Sequence, residues 1–267
     1  MKFHSAVPSA VVAGLAVSAI ALASCSTVPN NILAPPQIEG ATFVGNKACV
    51  DCHATFTRTF PSSPHARLHL EGAPNGDSAG CESCHGPGSL HIKAGGGRKL
   101  IVNPGRDPQA CFACHVDIHA QFKLPQHHPV LEGLMNCVQC HDPHVADILK
   151  ASHRTALGVL PASGTARLNE SCAECHREQS HPMIYQHEAL REGCTICHQP
   201  HGSIADKMLV QRDSNLCLKC HAQVPTLAGQ IFIGDVPHTT FVSRGACWSA
   251  GCHTAVHGSN IDRKLRH

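Results

Sequence analysis

The stretch Cys111–His144, CFACHVDIHAQFKLPQHHPVLEGLMNCVQCHDPH, holds two copies of Cys-x-x-Cys-His with further histidines close by. This is the c-type haem attachment signature: both thiols bond covalently to the haem edge, and the adjacent histidine becomes one axial ligand of the iron. His115 and His141 are thereby proximal ligands, and His128 and His144 are candidates for the opposite faces.

Working outward, the signature recurs at Cys49/Cys52, Cys81/Cys84, Cys111/Cys114, Cys137/Cys140, Cys172/Cys175, Cys194/Cys197 and Cys217/Cys220. An eighth pair, Cys247/Cys252, has four residues between its cysteines (CWSAGCH). The histidines that follow these pairs are His53, His85, His115, His141, His176, His198, His221 and His253. Zinc ribbons also pair Cys-x-x-Cys units. They do not require a histidine directly after the second cysteine, and all eight pairs here have one. A disulfide framework is excluded because thioethers use sixteen of the 17 cysteines, leaving Cys25. The expected cofactor is haem c, eight copies.

Composition agrees with haem as the interior. Aromatics make up 4% of the 267 residues, with one Trp and one Tyr, whereas Gly numbers 22, Pro 18 and His 23. Such a chain lacks the large side chains that normally fill a core. Successive first cysteines are 32, 30, 26, 35, 22, 23 and 30 residues apart, just enough chain to wrap one macrocycle each. The expected fold is mostly irregular with short α-helices around packed haems, with little or no β-sheet. Helices are expected at Gln109–Gln121 and Asn215–Gln223. Gly86-Pro87-Gly88 and Gly95-Gly96-Gly97 are expected to let backbone approach a haem edge.

The N-terminus sets the compartment. Lys2 precedes an apolar run from Val7 to Leu22, too short for a membrane span and typical of an export signal. It ends in Leu22-Ala23-Ser24-Cys25, a lipoprotein-type processing box with Cys25 as the acylated residue. The expected organisation is a signal peptide over 1–24, a Pro-rich tether over 25–44, a haem domain over 45–260 and a C-terminal tail over 261–267. The protein is expected to be exported and periplasmic, anchored to the outer membrane through a lipid on Cys25.

Six-coordinate iron needs a second ligand, and four Met stand against fifteen His outside the motifs. The Met residues bear no repeated relation to the motifs, so bis-His ligation is expected, and with it low reduction potentials. The distal candidates occur in recurring contexts. His65 (SSPHAR) and His91 (GPGSLH) follow the first two motifs, while His144 (HDPH) and His201 (HQPH) directly follow the fourth and sixth. His128, in competition with His127, and His187 precede Glu-Gly segments, and His238 and His257 flank the eighth motif. His69, His119, His153 and His181 are left unassigned. An internal repeat relates 111–150 to 172–209, each block carrying two motifs in the same order.

The segments CESCHGPGSLHIKAGG, Cys111–His144, CTICHQPHGS and CHTAVHGSN together resemble the MtrA/DmsE family of multihaem c-type cytochromes over 45–260. The resemblance implies a periplasmic or porin-embedded conduit passing electrons to extracellular metal oxides or to a terminal reductase. It also implies a quinol-oxidising cytochrome as donor and an outer-membrane porin, cytochrome or reductase as acceptor. The chain departs from that family in having eight motifs rather than ten, a widened last motif and a lipidation site. The missing pair falls between the second and third motifs.

No Ser/His/Asp set or carboxylate pair calls for acid–base catalysis, so electron relay is the expected activity and catalytic residues are none. The competing reading is a reductase of nitrite- or hydroxylamine-type substrates, which needs one open iron, with the eighth motif the place to find it. A filament-forming structural cytochrome is the third. A formal charge of +2 with scattered basic residues leaves no nucleic-acid footprint.

Overall fold

A computed structural model describes residues 35–67, 80–146, 164–242 and 244–266. The expected signal segment, Cys25, His69 and His153 lie outside them. Short helices, turns and irregular chain dominate, as expected. The longest described helix, Gly164–Ala173, has 10 residues, and none is long and apolar enough to cross a membrane.

The helices are short because the motif itself interrupts them. Each motif closes one turn, with the histidine N–H donating to the first cysteine's carbonyl: His53 to Cys49, His115 to Cys111, His141 to Cys137 and His176 to Cys172, all at 2.9 Å. The histidines of the first, third and fifth motifs then leave helical geometry (φ −115°, ψ 39° at His53; −92°, 59° at His115; −91°, 59° at His176). Each starts a new helix, at Ala54–Thr59, Val116–Gln121 and Arg177–Ser180. The helix expected over 109–121 is therefore two, Gln109–Phe112 and Val116–Gln121. The one expected over 215–223 is Asp213–Cys217, since the chain after Cys220 runs into a strand.

Two small sheets are present. One is a three-stranded antiparallel ribbon of β2 (Val224–Pro225), β3 (Ile231–Ile233) and β4 (Val236–Pro237). The other pairs β1 (Tyr185–Gln186) with β5 (Gly258–Ser259). Strands of two or three residues have no alternation to detect in sequence.

Few apolar side chains are buried: among the described residues Phe112, Phe122, Val130, Ala205, Leu209 and Ala255. Only Phe112, Phe122 and Val130 cluster, joined by Ile118 and Met135, all in the stretch from Cys111 onward. The rest of the body is held by polar interlocks between the loops that follow the motifs.

Three of these interlocks repeat one design. Ser63, fully buried, donates from its hydroxyl to the Pro143 carbonyl at 2.7 Å, joining the loop of His65 to that of His144. Gln126 and Ser203 exchange backbone hydrogen bonds (3.1 and 2.8 Å), joining the loop of His128 to that of His201. The β1–β5 pair joins the loop of His187 to that of His257. The second requires Gly202, where a Cβ would lie 2.0 Å from the Gln121 carbonyl oxygen.

Two regions gain detail. Gly86 and Gly88 make room for the incoming segment at 36–44, since their Cβ positions face Pro36 and Val44. That segment, expected as tether, is fastened to the second motif: the Glu82 carboxylate accepts N–H bonds from Val44 (3.0 Å), Gly45 (2.7 Å) and Gly88 (2.8 Å). Likewise Lys264, in the expected tail, gives its carbonyl to His253 Nδ1 at 2.8 Å.

Candidate functional site

Every motif histidine faces one of the eight distal candidates. The pairs are His53 with His91, His85 with His144, His115 with His65 and His141 with His201. His176 pairs with His128, His198 with His257, His221 with His187 and His253 with His238. Ring centroids are 6.0–6.3 Å apart in all eight. Two metal–nitrogen bonds of about 2.0–2.1 Å, plus about 1.1 Å from each nitrogen to its ring centre, give roughly 6.2–6.4 Å for imidazoles on opposite sides of one ion. The donor set thus fits a six-coordinate, bis-imidazole iron at each motif.

The pairing follows a rule the sequence concealed. A histidine trailing an odd motif serves the next odd motif: His65 the third, His128 the fifth, His187 the seventh. A histidine trailing an even motif serves the preceding even one: His144 the second, His201 the fourth, His257 the sixth. At the first and eighth motifs the ligand is local, from His91 and His238. The three interlocks join the two loops that exchange ligands in opposite directions.

Orientation is set by the second ring nitrogen. Nδ1 meets a backbone carbonyl in His85 (Val102, 2.9 Å), His91 (Gly97, 3.1 Å), His128 (Pro200, 2.7 Å) and His187 (Val256, 2.9 Å). The same holds for His198 (Lys207, 2.8 Å), His238 (Val236, 2.9 Å) and His253 (Lys264, 2.8 Å), while His144 Nδ1 meets Asp142 at 3.1 Å. A carbonyl acceptor fixes the proton on Nδ1 and leaves the Nε2 lone pair for a metal. His127 is different. Its Nδ1 meets the Leu124 carbonyl and its Nε2 meets Glu132 at 2.9 Å, whereas His128 is the ring that faces His176. His119 stacks on Phe112 at 4.5 Å, and His181 is exposed.

Electrostatics favour neutral ligands. Burial lowers the pKa of His65, His85, His201, His221 and His257, and the facing imidazole pushes the same way.

The motifs lie in file. Within units the first-cysteine thiols lie close enough to interact, Cys49 with Cys81, Cys111 with Cys137, Cys172 with Cys194 and Cys217 with Cys247. Between units Cys84 lies near Cys114, Cys140 near Cys172, and Cys197 near Cys220. Spatial order is therefore sequence order.

The two thiols of a motif do not share one environment, although the sequence treats them alike. The first cysteine of every pair is half-buried, and the second is exposed except at Cys197. Cys52 and Cys175, expected as attachment thiols of the first and fifth motifs, are both exposed. Cys175 is placed by its own motif turn, donating its N–H to the Cys172 carbonyl at 3.2 Å.

Residues missed in the sequence hold the units together. Asn46 Oδ1 accepts the Cys81 N–H at 2.9 Å, and Asn169 Oδ1 accepts the Cys194 N–H at 2.9 Å. Each asparagine lies three residues before its own motif, a recurrence (NKAC, NESC) that was available to find them. In the last unit Asp213 does this work, accepting from Cys247 N at 2.7 Å, Trp248 N and Ser249 N at 3.1 Å, and the Ser249 hydroxyl. Burial works to raise its carboxyl pKa, but those donors outweigh it and hold the group below its usual value.

Comparison with known proteins agrees. Residues 187–226 match the doubled CXXCH motif family, and residues 25–86 match the cytochrome c554 and c-prime family. Multiheme cytochrome MtrA of Shewanella baltica is 29% identical over 225 residues, 80% of this chain and 58% of that protein. C-type polyheme cytochrome OmcB of Geobacter sulfurreducens is 24% identical over 251 residues, 84% of this chain and 32% of that protein. The chain is a multihaem c-type cytochrome. This cytochrome is homologous to MtrA and OmcB and spans little more than half the length of the first and a third of the second. The doubled-motif match covers the sixth and seventh attachment sites of the cytochrome, and the c554 match covers its first and second.

Proposed function

We propose that this cytochrome carries eight haems c, each attached through one cysteine pair and ligated by one of the eight facing histidine pairs, and relays electrons along them. The supporting observation is the facing of all eight motif histidines by a second imidazole at 6.0–6.3 Å. Haem supplies a one-electron iron couple; the protein supplies spacing, ligation and orientation. The cysteines order the sites in file, and each facing histidine pair would give two imidazoles to one haem iron, so no side chain is called on to bind or protonate a substrate. The eighth motif, where an open iron would favour a reductase, has His238 opposite His253 at 6.3 Å.

On this reading the protein is exported, carries a lipid on Cys25 at the outer membrane, and passes electrons from a quinol-oxidising cytochrome to a porin-associated cytochrome or a reductase. Homology to MtrA and OmcB and the lipoprotein-type box support that setting. The test is intact mass together with the ferric spectrum of the protein exported from its own signal. Eight covalent haems, all low-spin, are expected; seven haems, or a high-spin fraction near one in eight, would overturn it.

A further inference from the structure

The last motif is two residues longer than the others, yet its geometry is unchanged. His253 N–H still meets the Cys247 carbonyl, at 3.1 Å, although five intervening residues rather than three now separate them. His253 also faces His238 with the spacing and near-parallel rings (21°) of other pairs. The extra residues have therefore been absorbed without moving the ligand. The loop closes through Gly251, at φ +81°, whose N–H meets the Trp248 carbonyl at 2.9 Å.

What absorbs them is the residue that clamps the unit. In two of the three units whose second motif has two intervening residues, the clamp is an asparagine taking the first cysteine's N–H, Asn46 in one and Asn169 in the other. Where the second motif has four, the clamp is Asp213, buried at 9% exposure, and it takes three successive N–H groups and a hydroxyl. An amide has one acceptor oxygen and would aim its NH2 at the donors of Ser249, whereas a carboxylate offers acceptors on both sides. One of its oxygens also lies within 4.8 Å of the sulfurs of Cys217 and Cys247, at the junction of the seventh and eighth sites.

We propose that Asp213 is a positioning residue specific to the widened motif: its carboxylate folds Cys247–Ser249 into a compact loop so that Cys247, Cys252 and His253 present the geometry of a two-residue spacing. This rests on the eighth motif holding haem. Each attachment adds a thiol S–H across one haem vinyl group, forming a C–S and a C–H bond with no net oxidation. Asp213 takes no part in that chemistry and acts through the placement of the two sulfurs.

The test crosses the clamp with the spacing. Four full-length exported chains are compared by intact mass and reduction potential: wild type, Asp213→Asn, a chain lacking Trp248 and Ser249 (leaving a two-residue spacing), and that shortened chain with Asp213→Asn. Asp213→Asn is expected to lose one haem of eight in the long-motif chain and none in the shortened chain, where one amide oxygen suffices. Accumulation of the asparagine variant only when the motif is shortened would support the proposal equally. Eight haems and unshifted potentials in the long-motif asparagine variant would overturn it. So would equal haem loss, or equal failure to accumulate, at both spacings. Seven haems in wild type would overturn the eight-haem reading and this proposal with it, whereas an eight-haem wild type with an unaffected variant removes the proposal alone.

Discussion

The central three pairs and the outer five differ in how their rings are turned. His65/His115, His141/His201 and His128/His176 cross at 79°, 44° and 61°. The pairs at the first, second, sixth, seventh and eighth motifs are within 17–21° of parallel. Ligand exchange between units is not the cause, because His85/His144 and His198/His257 are exchanged and nevertheless parallel. Each crossed pair includes a histidine of the Cys111–His144 stretch, beside the one apolar cluster, and Phe122 packs on His201 at 5.4 Å. Every outer pair has at least one ring held by an Nδ1 hydrogen bond. Hydrogen bonds alone do not separate the two groups, since His128 in the centre also has one to Pro200 at 2.7 Å; what the centre adds is the apolar packing around Phe122.

The largest effect should come from breaking the centre at its tightest point. In Gly202→Ala the new methyl would sit 2.0 Å from the Gln121 carbonyl, a backbone atom that cannot turn aside. The Gln126–Ser203 bridge, which places both His128 and His201, must then open. Overpacking of this kind costs about 1–3 kcal/mol or more. At about 2–4 °C per kcal/mol for a chain of this size, a fall in Tm of several degrees is expected, with high-spin haem appearing at two sites. Gly133, at φ +73° with open space around it, provides the contrast: Gly133→Ala strains one turn and should leave all ligands in place.

A smaller effect separates the regions one ligand at a time. His201→Ala and His91→Ala should each convert one haem in eight to a high-spin, ligand-binding form, measurable by carbon monoxide binding to the reduced protein. They should differ in stability. His201 is packed against Phe122 at a junction between units, so its loss should also lower Tm. His91 lies on the short helix Ser89–Lys93 and bonds locally to Gly97, so its loss should leave Tm nearly unchanged. Equal Tm shifts would remove the distinction between a packed centre and locally held ends.

The cysteine pairs and motif histidines stand out in the sequence because covalent attachment demands a fixed local spacing, and the distal candidates because they recur in matched contexts; the structure brings these sixteen rings face to face in pairs. The partner of each distal histidine was not legible, because His128 and His176, or His198 and His257, are related by docking of loops far apart in sequence. The unequal settings of paired thiols were hidden for the same reason, since Cys172 is half-buried and Cys175 exposed although the motif treats them alike. His238 was the hardest to rank, since the ribbon that presents it has strands too short to leave a period, and its N–H is held by Ile231. Glu82 and Asp213 lay unnoticed inside or beside motifs, where a buried carboxylate reads as an ordinary charged residue. The helix expected over 109–121 overlooked the motif histidine's own departure from helical geometry at His115.

The smallest expected effect is spectroscopic and tests the ring angles directly. When two imidazole planes are parallel, their π interactions with the iron act along one direction and split the iron orbitals that lie above the ring plane. When the planes cross, the two interactions act along different directions and the splitting shrinks. Ferric low-spin haems of the two kinds give distinct electron paramagnetic resonance signals, the crossed kind with the larger anisotropy. The fully oxidised cytochrome should therefore show two low-spin classes in about a 5:3 proportion, following the parallel and crossed pairs. His201→Ala should take one haem from the minority class and His91→Ala one from the majority. Phe122→Leu, which keeps an apolar side chain but removes the ring against His201, should shift the minority signal without changing the haem count. A single class in wild type, or a Phe122 variant with an unaltered minority signal, would show that packing around the central stretch does not set the ring planes.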